Sequence, residues 1–316
     1  MEKTIIVCNL RPGRGLKQSH VDSEWFTSVP HDIKKCFRFF KYNNRIWIWD
    51  SFKALYLMKR STKITFVLLS YAPTHHKFPS LALLSFLQKN DAKIVKVWLD
   101  SWSEQLWDLR IKPMAQLGSY NILFDKLNDL SKSKDPYGSY IQKLPAHTPV
   151  EFIEFKKRKH LLFYSGSIGS EGVYRSRGEY LDFLKSNNVD VVGHAAQHNQ
   201  KKFPRRPSYE QYRRELSNSK IGLNFTWKNN THIITYRTWD ILSSGVLLLQ
   251  NKSTVFGDLL EEGKHYLSFE SRENLLQIIS EILEHRYNIE EIALNGMVRY
   301  KELMSDNNFW RDVYNS

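Results

Sequence analysis

Residues 208–269 read SYEQYRRELSNSKIGLNFTWKNNTHIITYRTWDILSSGVLLLQNKSTVFGDLLEEGKHYLSF. The pattern predicts a helix, a short apolar strand at Ile221–Phe225, a polar loop, a helix that begins near Tyr236 and a strand at Val246–Gln250. A loop, another helix and another strand are expected after Gln250. Short apolar strands that alternate with helices are typical of a parallel sheet with helices on its faces. We therefore expect an α/β fold.

The start of the second helix, at Tyr236-Arg237-Thr238, is a candidate anion site. Free backbone N–H groups at a helix N-terminus, together with an arginine in the first turn, favour an anion such as a diphosphate. Asp240 lies one turn later and is expected on the same side as Tyr236 and Arg237. Its carboxylate would accept hydrogen bonds from ribose hydroxyls. The alternative for Arg237 is a surface or structural ion pair.

The same helix is expected to end in the small residues Ser243, Ser244 and Gly245. Small residues at a helix end leave the backbone accessible. We therefore include Ser244 and Gly245 among the residues expected to contact a ligand.

A second strand and loop of this kind lie earlier in the chain. An apolar strand at Leu161–Ser165 runs into the small-residue loop Gly166–Ser170, in which Gly166 and Ser167 are candidate ligand contacts. A helix is expected at Ser176–Ser186, with Arg175 and Arg177 at its start, where arginines favour phosphate groups. The next strand, Val189–Val192, is followed by Gly193 and by His194, a further candidate for the nucleotide site.

Three stretches carry a resemblance to a known family: Ser219–Asn224 (SKIGLN), Arg237–Gly245 (RTWDILSSG) and Gly263–Leu267 (GKHYL). They resemble the nucleotide-sugar-binding half of GT-B glycosyltransferases, in particular the CgeB-like "glycosyl transferases group 1" set. The resemblance implies two Rossmann-like domains that face each other across a cleft. It also implies transfer of a sugar from a nucleotide-diphosphate sugar to a hydroxyl acceptor, with no bound metal or other cofactor and with retention of configuration. The family usually has Glu where this chain has Asp240.

The length of 316 residues suits two domains. We place the boundary near residue 150. Residues 1–150 would form an acceptor domain, and residues 151–316 would form the nucleotide-sugar-binding domain. In GT-B proteins the last helix often returns to the first domain, and the aromatic segment Phe309–Tyr314 is expected to do so here, although ordinary core packing explains it equally well.

The first half of the chain offers its own candidates. Further strands are expected at Thr4–Leu10, Arg45–Trp49, Ile64–Ser70, Lys93–Leu99 and Tyr120–Phe124, with helices at Ser80–Lys89 and Ser103–Arg110. The turn after the first strand contains Gly13 and Gly15, where Rossmann-like folds bind a ligand. A GxGxxG motif is absent, so a plain turn is the alternative. His75 and His76, which follow the third strand, and Asp100, which ends the fourth, are competing candidates for a catalytic base.

A net charge of +13 favours an anionic partner. The favoured partner is a cell-surface glycan or lipid-linked saccharide, with peripheral contact to an anionic membrane. This would make the protein part of polysaccharide biosynthesis. The alternative is nucleic acid, which the chain would bind or modify with sugar. Basic runs such as Lys156–Lys159 are otherwise expected to be solvated. Two cysteines, no secretory signal and no apolar membrane span predict a cytoplasmic location.

Overall fold

The computed structural model describes residues 3–9, 29–41, 63–70, 89, 93–98, 120–123, 140–142, 149–170, 172–197, 208–226, 234–253, 256–305 and 308–315. The chain divides into two compact units. One contains Met1–Thr148 together with Asn307–Ser316, and the other contains Pro149–Asp306.

Eleven strands and seven α-helices lie in the described residues. The strands are β1 Lys3–Asn9, β2 Phe37–Lys41, β3 Lys63–Ser70, β4 Lys93–Trp98, β5 Tyr120–Leu123, β6 Tyr140–Gln142, β7 His160–Ile168, β8 Val191–Gln197, β9 Ser219–Asn224, β10 Leu247–Asn251 and β11 Leu267–Phe269. The helices are α1 His31–Lys34, α2 Gly172–Ser186, α3 Tyr209–Ser217, α4 Tyr236–Ser243, α5 Arg272–Leu283, α6 Ile289–Ser305 and α7 Phe309–Asn315. None of them is both long enough and apolar enough to cross a lipid bilayer.

The first unit contains a parallel six-stranded sheet with the order β2-β1-β3-β4-β5-β6. Four of its strands correspond to those expected from the sequence, whereas β2 and β6 were not anticipated. The expected strand at Arg45–Trp49 and the helices at Ser80–Lys89 and Ser103–Arg110 lie outside the described residues, apart from Lys89. In α7, Arg311 forms a two-pronged ion pair with Asp32 of α1, at 3.0 and 3.2 Å, which lowers the pKa of Asp32.

The second unit contains a parallel five-stranded sheet with the order β11-β10-β9-β7-β8. The chain starts in β7, moves to β8 on one side, and then crosses to β9, β10 and β11 on the other side. Sheets with this order change direction between the first and third strands, here between β7 and β9, and such a switch point opens a crevice at the carboxyl edge. The two parallel sheets confirm the expected α/β class.

The core of the second unit lies on both faces of this sheet. On one face, Tyr164 and Phe225 pack edge to face, with ring centroids 5.7 Å apart, beneath α2 and α5. On the other face, α4 lies so close to β9 that a Cβ at Gly222 would fall 2.7 Å from Ile241. This close packing fixes the position of α4, and therefore of its first turn, relative to the sheet.

Two expectations for this unit are wrong. Residues 256–266 form turns and an isolated β-bridge instead of a helix, because Gly257 and Gly263 adopt positive φ angles of 47° and 79° at either end of the segment. Few residues remain between them, and a helix so short is marginal. Gly166 and Ser167 belong to β7 and not to a loop, since β7 continues to Ile168 in register with β8.

Candidate anion-binding site

The carboxyl ends of β7, β9 and β10 meet at one edge of the second sheet, and the first turn of α4 joins them there. Thr235, the residue before α4, does not cap the helix with its own side chain. Its Oγ1 instead accepts a hydrogen bond from Nδ2 of Asn224 at 3.3 Å. The positive end of the helix dipole is therefore not satisfied by a side-chain cap, and it lies at the switch point of the sheet.

Arg237, the second residue of α4, is held by neutral groups. Its Nη1 donates to Oδ1 of Asn224 at 3.0 Å. The guanidinium carbon lies 5.8 Å from the centroid of the Tyr164 ring, within the range of a cation–π interaction. The side chain is half-buried. Neither of these two partners carries a negative charge that would compensate the charge of the guanidinium.

Arg177 of α2 reaches the same edge. Its Nη2 donates to the backbone carbonyl of Phe225 at 3.2 Å, and its guanidinium lies 5.7 Å from the ring of Tyr174. Its Nε is buried and finds no hydrogen-bond partner among the described residues. Burial lowers the pKa of Arg177; Tyr164 opposes this shift, and the nearby guanidinium of Arg237 adds to it.

Arg177 and Arg237, here called the arginine pair, have no carboxylate within salt-bridge distance among the residues that the structure describes. Two like charges in a partly buried site repel each other. A buried donor without a partner costs about 1–3 kcal/mol. An anion bound between the two guanidiniums removes both costs, and the N-terminus of α4 adds further positive potential. This edge therefore has the charge and the donors to bind a diphosphate.

Gly166 makes the close approach of Arg237 possible. A Cβ at this position would lie 2.6 Å from the Tyr164 hydroxyl and 3.1 Å from Nη2 of Arg237. The hydroxyl of Tyr164 donates to the carbonyl of Ser167 at 3.4 Å. Gly166 and Ser167 thus lie beside the arginine pair, as part of the strand that forms the floor of the site.

Ser244 and Gly245 lie at the opposite end of α4, about 12 Å from its first turn on the usual helical rise. Ser244 is fully buried, and its carbonyl accepts a hydrogen bond from Arg158 at 2.8 Å. Gly245 has a φ of 61°, and a Cβ there would lie 2.9 Å from the Phe152 ring. The space where a ligand was expected to approach is filled by Phe152. These two residues close the helix and anchor the segment that follows Pro149.

Asp240 is 5% exposed, and its Oδ2 accepts a hydrogen bond from the Tyr212 hydroxyl at 2.9 Å. Tyr212 in turn packs edge to face against Phe163, with ring centroids 5.6 Å apart. The carboxylate therefore links α4 to α3 through this hydrogen bond. Its contact with a ribose stays a prediction. Tyr236 is half-buried at the first position of α4.

Thr238 is fully buried, and its Oγ1 accepts a hydrogen bond from Asn224 at 3.1 Å. Arg175 is exposed and pairs with Glu179, one turn along α2, at 2.8 Å. His194 belongs to β8, and its Nε2 lies 2.9 Å from Oε2 of Glu215. Thr238 therefore contributes to the site indirectly, through its hydrogen bond to Asn224. Arg175 and His194 each lie beside a carboxylate, so they differ from the arginine pair.

Five candidates lie outside the described residues: Gly13, Gly15, His75, His76 and Asp100. Their expected roles stay predictions.

Two residues of the site were not anticipated. Tyr164 has no sequence signal, because an aromatic residue inside an apolar strand normally indicates core packing alone. Asn224 does carry one, since it is the polar residue that ends the apolar strand β9, at the edge where α/β sheets bind ligands.

A cavity with a volume of about 560 Å³ lies elsewhere in this unit, between α6 and the turns before β11. Its cations are already paired: Lys264 lies 3.3 Å from Glu261, and Arg299 lies 3.0 Å from Glu302. This cavity therefore lacks the uncompensated charge of the arginine pair.

The chain was compared with known protein families and structures. Residues 175–308 match the model of the glycosyl transferase-like family, a segment that contains both arginines of the pair. No curated protein matches the chain.

Several solved structures resemble the whole chain. HepE from Anabaena in complex with UDP-glucose has a TM-score of 0.63 and 8% identity, and the match covers 98% of this chain and 99% of HepE. T4 phage BGT in complex with UDP and Mn²⁺ has a TM-score of 0.55 and 14% identity, over 99% and 98% of the two chains. A glycosyltransferase from Rickettsia africae ESF-5 has a TM-score of 0.56 and 10% identity, over 100% of both chains. These neighbours are GT-B glycosyltransferases, which confirms the expected fold class and the resemblance.

Proposed function

We propose that this chain, which has the fold of GT-B glycosyltransferases and matches the glycosyl transferase-like family over residues 175–308, transfers a sugar from a nucleoside-diphosphate sugar to a hydroxyl acceptor. The observation that carries the proposal is the arginine pair at the switch point, which has no carboxylate partner among the described residues. We assign donor binding to residues 151–316 and acceptor binding to residues 1–150. A UDP-sugar is the proposed donor, because the structures of HepE and T4 phage BGT both contain UDP.

The chemistry explains why such a pair is useful. When the bond between the sugar and the diphosphate breaks, negative charge develops on the leaving diphosphate. Arg177, Arg237 and the N-terminus of α4 are already oriented towards one edge and stabilise that charge as it forms. Interactions that strengthen in the transition state raise kcat. A base must also accept the proton of the acceptor hydroxyl, and His75, His76 and Asp100 stay the predicted candidates.

The arginine pair also underlies a proposal about metal ions. Two guanidiniums and a helix N-terminus supply the positive charge that a divalent cation would otherwise supply, so we propose that turnover does not require a metal. The alternative is that turnover requires a divalent cation, and the structure of T4 phage BGT does contain Mn²⁺. Activity that is unchanged by EDTA supports the proposal, and activity lost with EDTA and restored by Mn²⁺ contradicts it.

Thermal unfolding with UDP, GDP, ADP, dTDP and CMP tests donor binding. A nucleotide present at one hundred times its Kd stabilises the protein by about 2.7 kcal/mol. We expect the largest rise in Tm with UDP. Absence of a shift with every nucleotide would overturn the proposed function, and a larger shift with another diphosphate would correct the base only.

For the acceptor we propose a cell-surface glycan or a lipid-linked saccharide. The support is the net charge of +13, which is scattered along the chain and would favour an anionic membrane surface. Product analysis with such acceptors would also show whether the anomeric configuration is retained, as the family resemblance implies.

A salt titration separates this acceptor from nucleic acid. Affinity for nucleic acid falls steeply with salt, with a slope of about −0.9 per phosphate contacted on duplex DNA. We expect no DNA or RNA binding at moderate salt. Tight binding whose affinity falls steeply with salt would contradict the proposed acceptor and favour nucleic acid instead.

A further inference from the structure

A chain of side-chain amides lies behind Arg237, at the carboxyl edge of β9 and β10. Asn224 and Gln250 are fully buried partners in the register of the two strands. Nδ2 of Asn224 donates to Oε1 of Gln250 at 2.8 Å. Nε2 of Gln250 donates to Oδ1 of Asn251 at 2.7 Å. The same Oδ1 accepts the backbone N–H of Thr226 at 2.6 Å.

The chemistry of these groups fixes the direction of every bond in the chain. The backbone N–H of Thr226 can only donate, so Asn251 must present its oxygen to it. Gln250 must then present its NH₂ group to that oxygen, which leaves its own oxygen for Asn224. Asn224 consequently presents its NH₂ group to Gln250. Only the oxygen of Asn224 remains for Arg237, which can only donate.

We propose that Asn224 is a positioning residue for Arg237: its amide, oriented from a backbone N–H through Asn251 and Gln250, holds the guanidinium through a neutral oxygen. The inference rests on the proposed function, in which Arg237 binds the diphosphate. A carboxylate in the same place would hold the guanidinium at least as firmly, but it would also neutralise the charge that the diphosphate needs. The neutral acceptor positions Arg237 and keeps the site cationic.

Asn224→Asp is the most informative variant, because it is nearly isosteric and keeps an acceptor for Arg237. Calorimetric titration would measure the affinities for UDP and inorganic pyrophosphate, and ligand-observed NMR would measure uridine. We expect the affinity for UDP and pyrophosphate to fall about tenfold or more, as for a charged hydrogen bond. The affinity for uridine, which has no phosphate, should not change. A purely structural Asn224 would instead lower the Tm and leave the UDP affinity of the folded protein as in the wild type.

The double variant Asn224→Leu/Arg237→Ala tests whether Asn224 acts through Arg237, because leucine removes the acceptor without placing a charge beside the diphosphate. If it does, Asn224→Leu lowers the UDP affinity of the wild type and costs no further UDP affinity once Arg237 is absent. Additive losses would overturn the inference.

Gln250→Met gives a second test if Asn224→Asp does not fold. It has a similar volume and removes only the amide that orients Asn224, whose NH₂ group still has Thr238 as an acceptor. We expect a smaller loss of UDP affinity than for Asn224→Asp, and no loss in the Arg237→Ala background. An unchanged UDP affinity in Gln250→Met contradicts the inference. Failure of the wild type to bind both UDP and pyrophosphate overturns the proposed function as well, so the two failures are distinguishable.

Discussion

The two ends of α4 each use an arginine, in opposite ways. At the carboxyl end, Arg158 is 5% exposed, and its guanidinium donates to the carbonyls of Ile153, Ser219 and Ser244 at 2.8–3.1 Å. At the amino end, Arg237 donates one hydrogen bond within the described part of the chain, to the amide oxygen of Asn224. Arg158 thus has four of its five N–H groups engaged by carbonyls, whereas a guanidinium with most of its N–H groups unengaged can bind an anion.

The comparison separates the structural arginine from the proposed anion-binding arginines better than burial does. Burial lowers the pKa of Arg158 to about 10, and Glu290 partly opposes the shift. Burial also lowers the pKa of Arg177. Both groups are desolvated, but Arg158 donates to three backbone carbonyls, whereas Arg177 donates to one, that of Phe225, among the residues described. The arrangement of acceptors, and not the degree of burial, distinguishes the two ends.

The largest effect is expected from Arg158→Met, which leaves three carbonyls without their donor. Each buried group that loses its partner costs about 1–3 kcal/mol, so we expect a loss of about 3 kcal/mol or more in the free energy of unfolding. Urea denaturation measures it. Arg286→Met is the matched control, because Arg286 is exposed and a surface pair contributes about 0–1 kcal/mol. Equal losses in the two variants would refute the structural role of Arg158.

Arg237→Ala tests the other end of α4. Loss of charge-assisted hydrogen bonds to phosphate is worth about 1.5–3 kcal/mol, so UDP affinity should fall about tenfold to a hundredfold. Calorimetry measures the affinity, and the Tm should stay close to that of the wild type. Arg175→Ala is the control, since Arg175 is exposed and pairs with Glu179. If Arg237 is a structural residue, its variant will lose stability and its UDP affinity will not change.

Gly166→Ala tests whether the position of Arg237 depends on the close approach of β7. The added methyl would overlap the Tyr164 hydroxyl and crowd Arg237, and overpacking of this kind costs about 1–3 kcal/mol. We expect lower stability together with weaker UDP binding, because Arg237 must move. Gly178→Ala is the control: its Cβ would meet only Ile168, at 3.9 Å, and alanine favours a helix by about 1 kcal/mol. UDP binding unchanged in Gly166→Ala would show that Arg237 tolerates the displacement.

The smallest effect is expected from Tyr212→Phe. The variant removes the hydroxyl that donates to Asp240 and leaves a buried carboxylate with one partner fewer. A loss of about 1–2 kcal/mol in the free energy of unfolding should follow, with UDP affinity unchanged. Phe163, which packs against the same ring, keeps its contact in this variant. A fall in UDP affinity without loss of stability would instead favour the predicted role of Asp240 at the ribose.

The sequence predicted the parts of this account that depend on local pattern. Alternating strands and helices predicted the parallel sheets, and an arginine in the first turn of a helix after a strand predicted Arg237 at the carboxyl edge. These are short-range features. The helix expected between Gln250 and the last strand of the sheet is absent for a local reason as well, because a residue pattern does not show that Gly257 and Gly263 adopt positive φ angles.

The contacts that separate the two ends of α4 could not be predicted in this way. Arg158 and Ser244 are 86 residues apart in the chain. Arg158 also lies in a basic run that was expected to be solvated, and its burial depends on how residues 149–153 pack against the rest of the second unit. The approach of Arg237 to Tyr164 likewise depends on the register of β7 with β9. Such contacts depend on strand order and register, and neither can be read from the residue pattern of a single sequence.

A crystal structure of the protein with UDP tests the central claim most directly. The account predicts that the diphosphate binds at the carboxyl edge of β7 and β9, within hydrogen-bond distance of both Arg177 and Arg237, with Oδ1 of Asn224 still accepting from Arg237. A diphosphate bound elsewhere, for example in the cavity lined by Lys264 and Arg299, with Arg177 and Arg237 unoccupied, would contradict it.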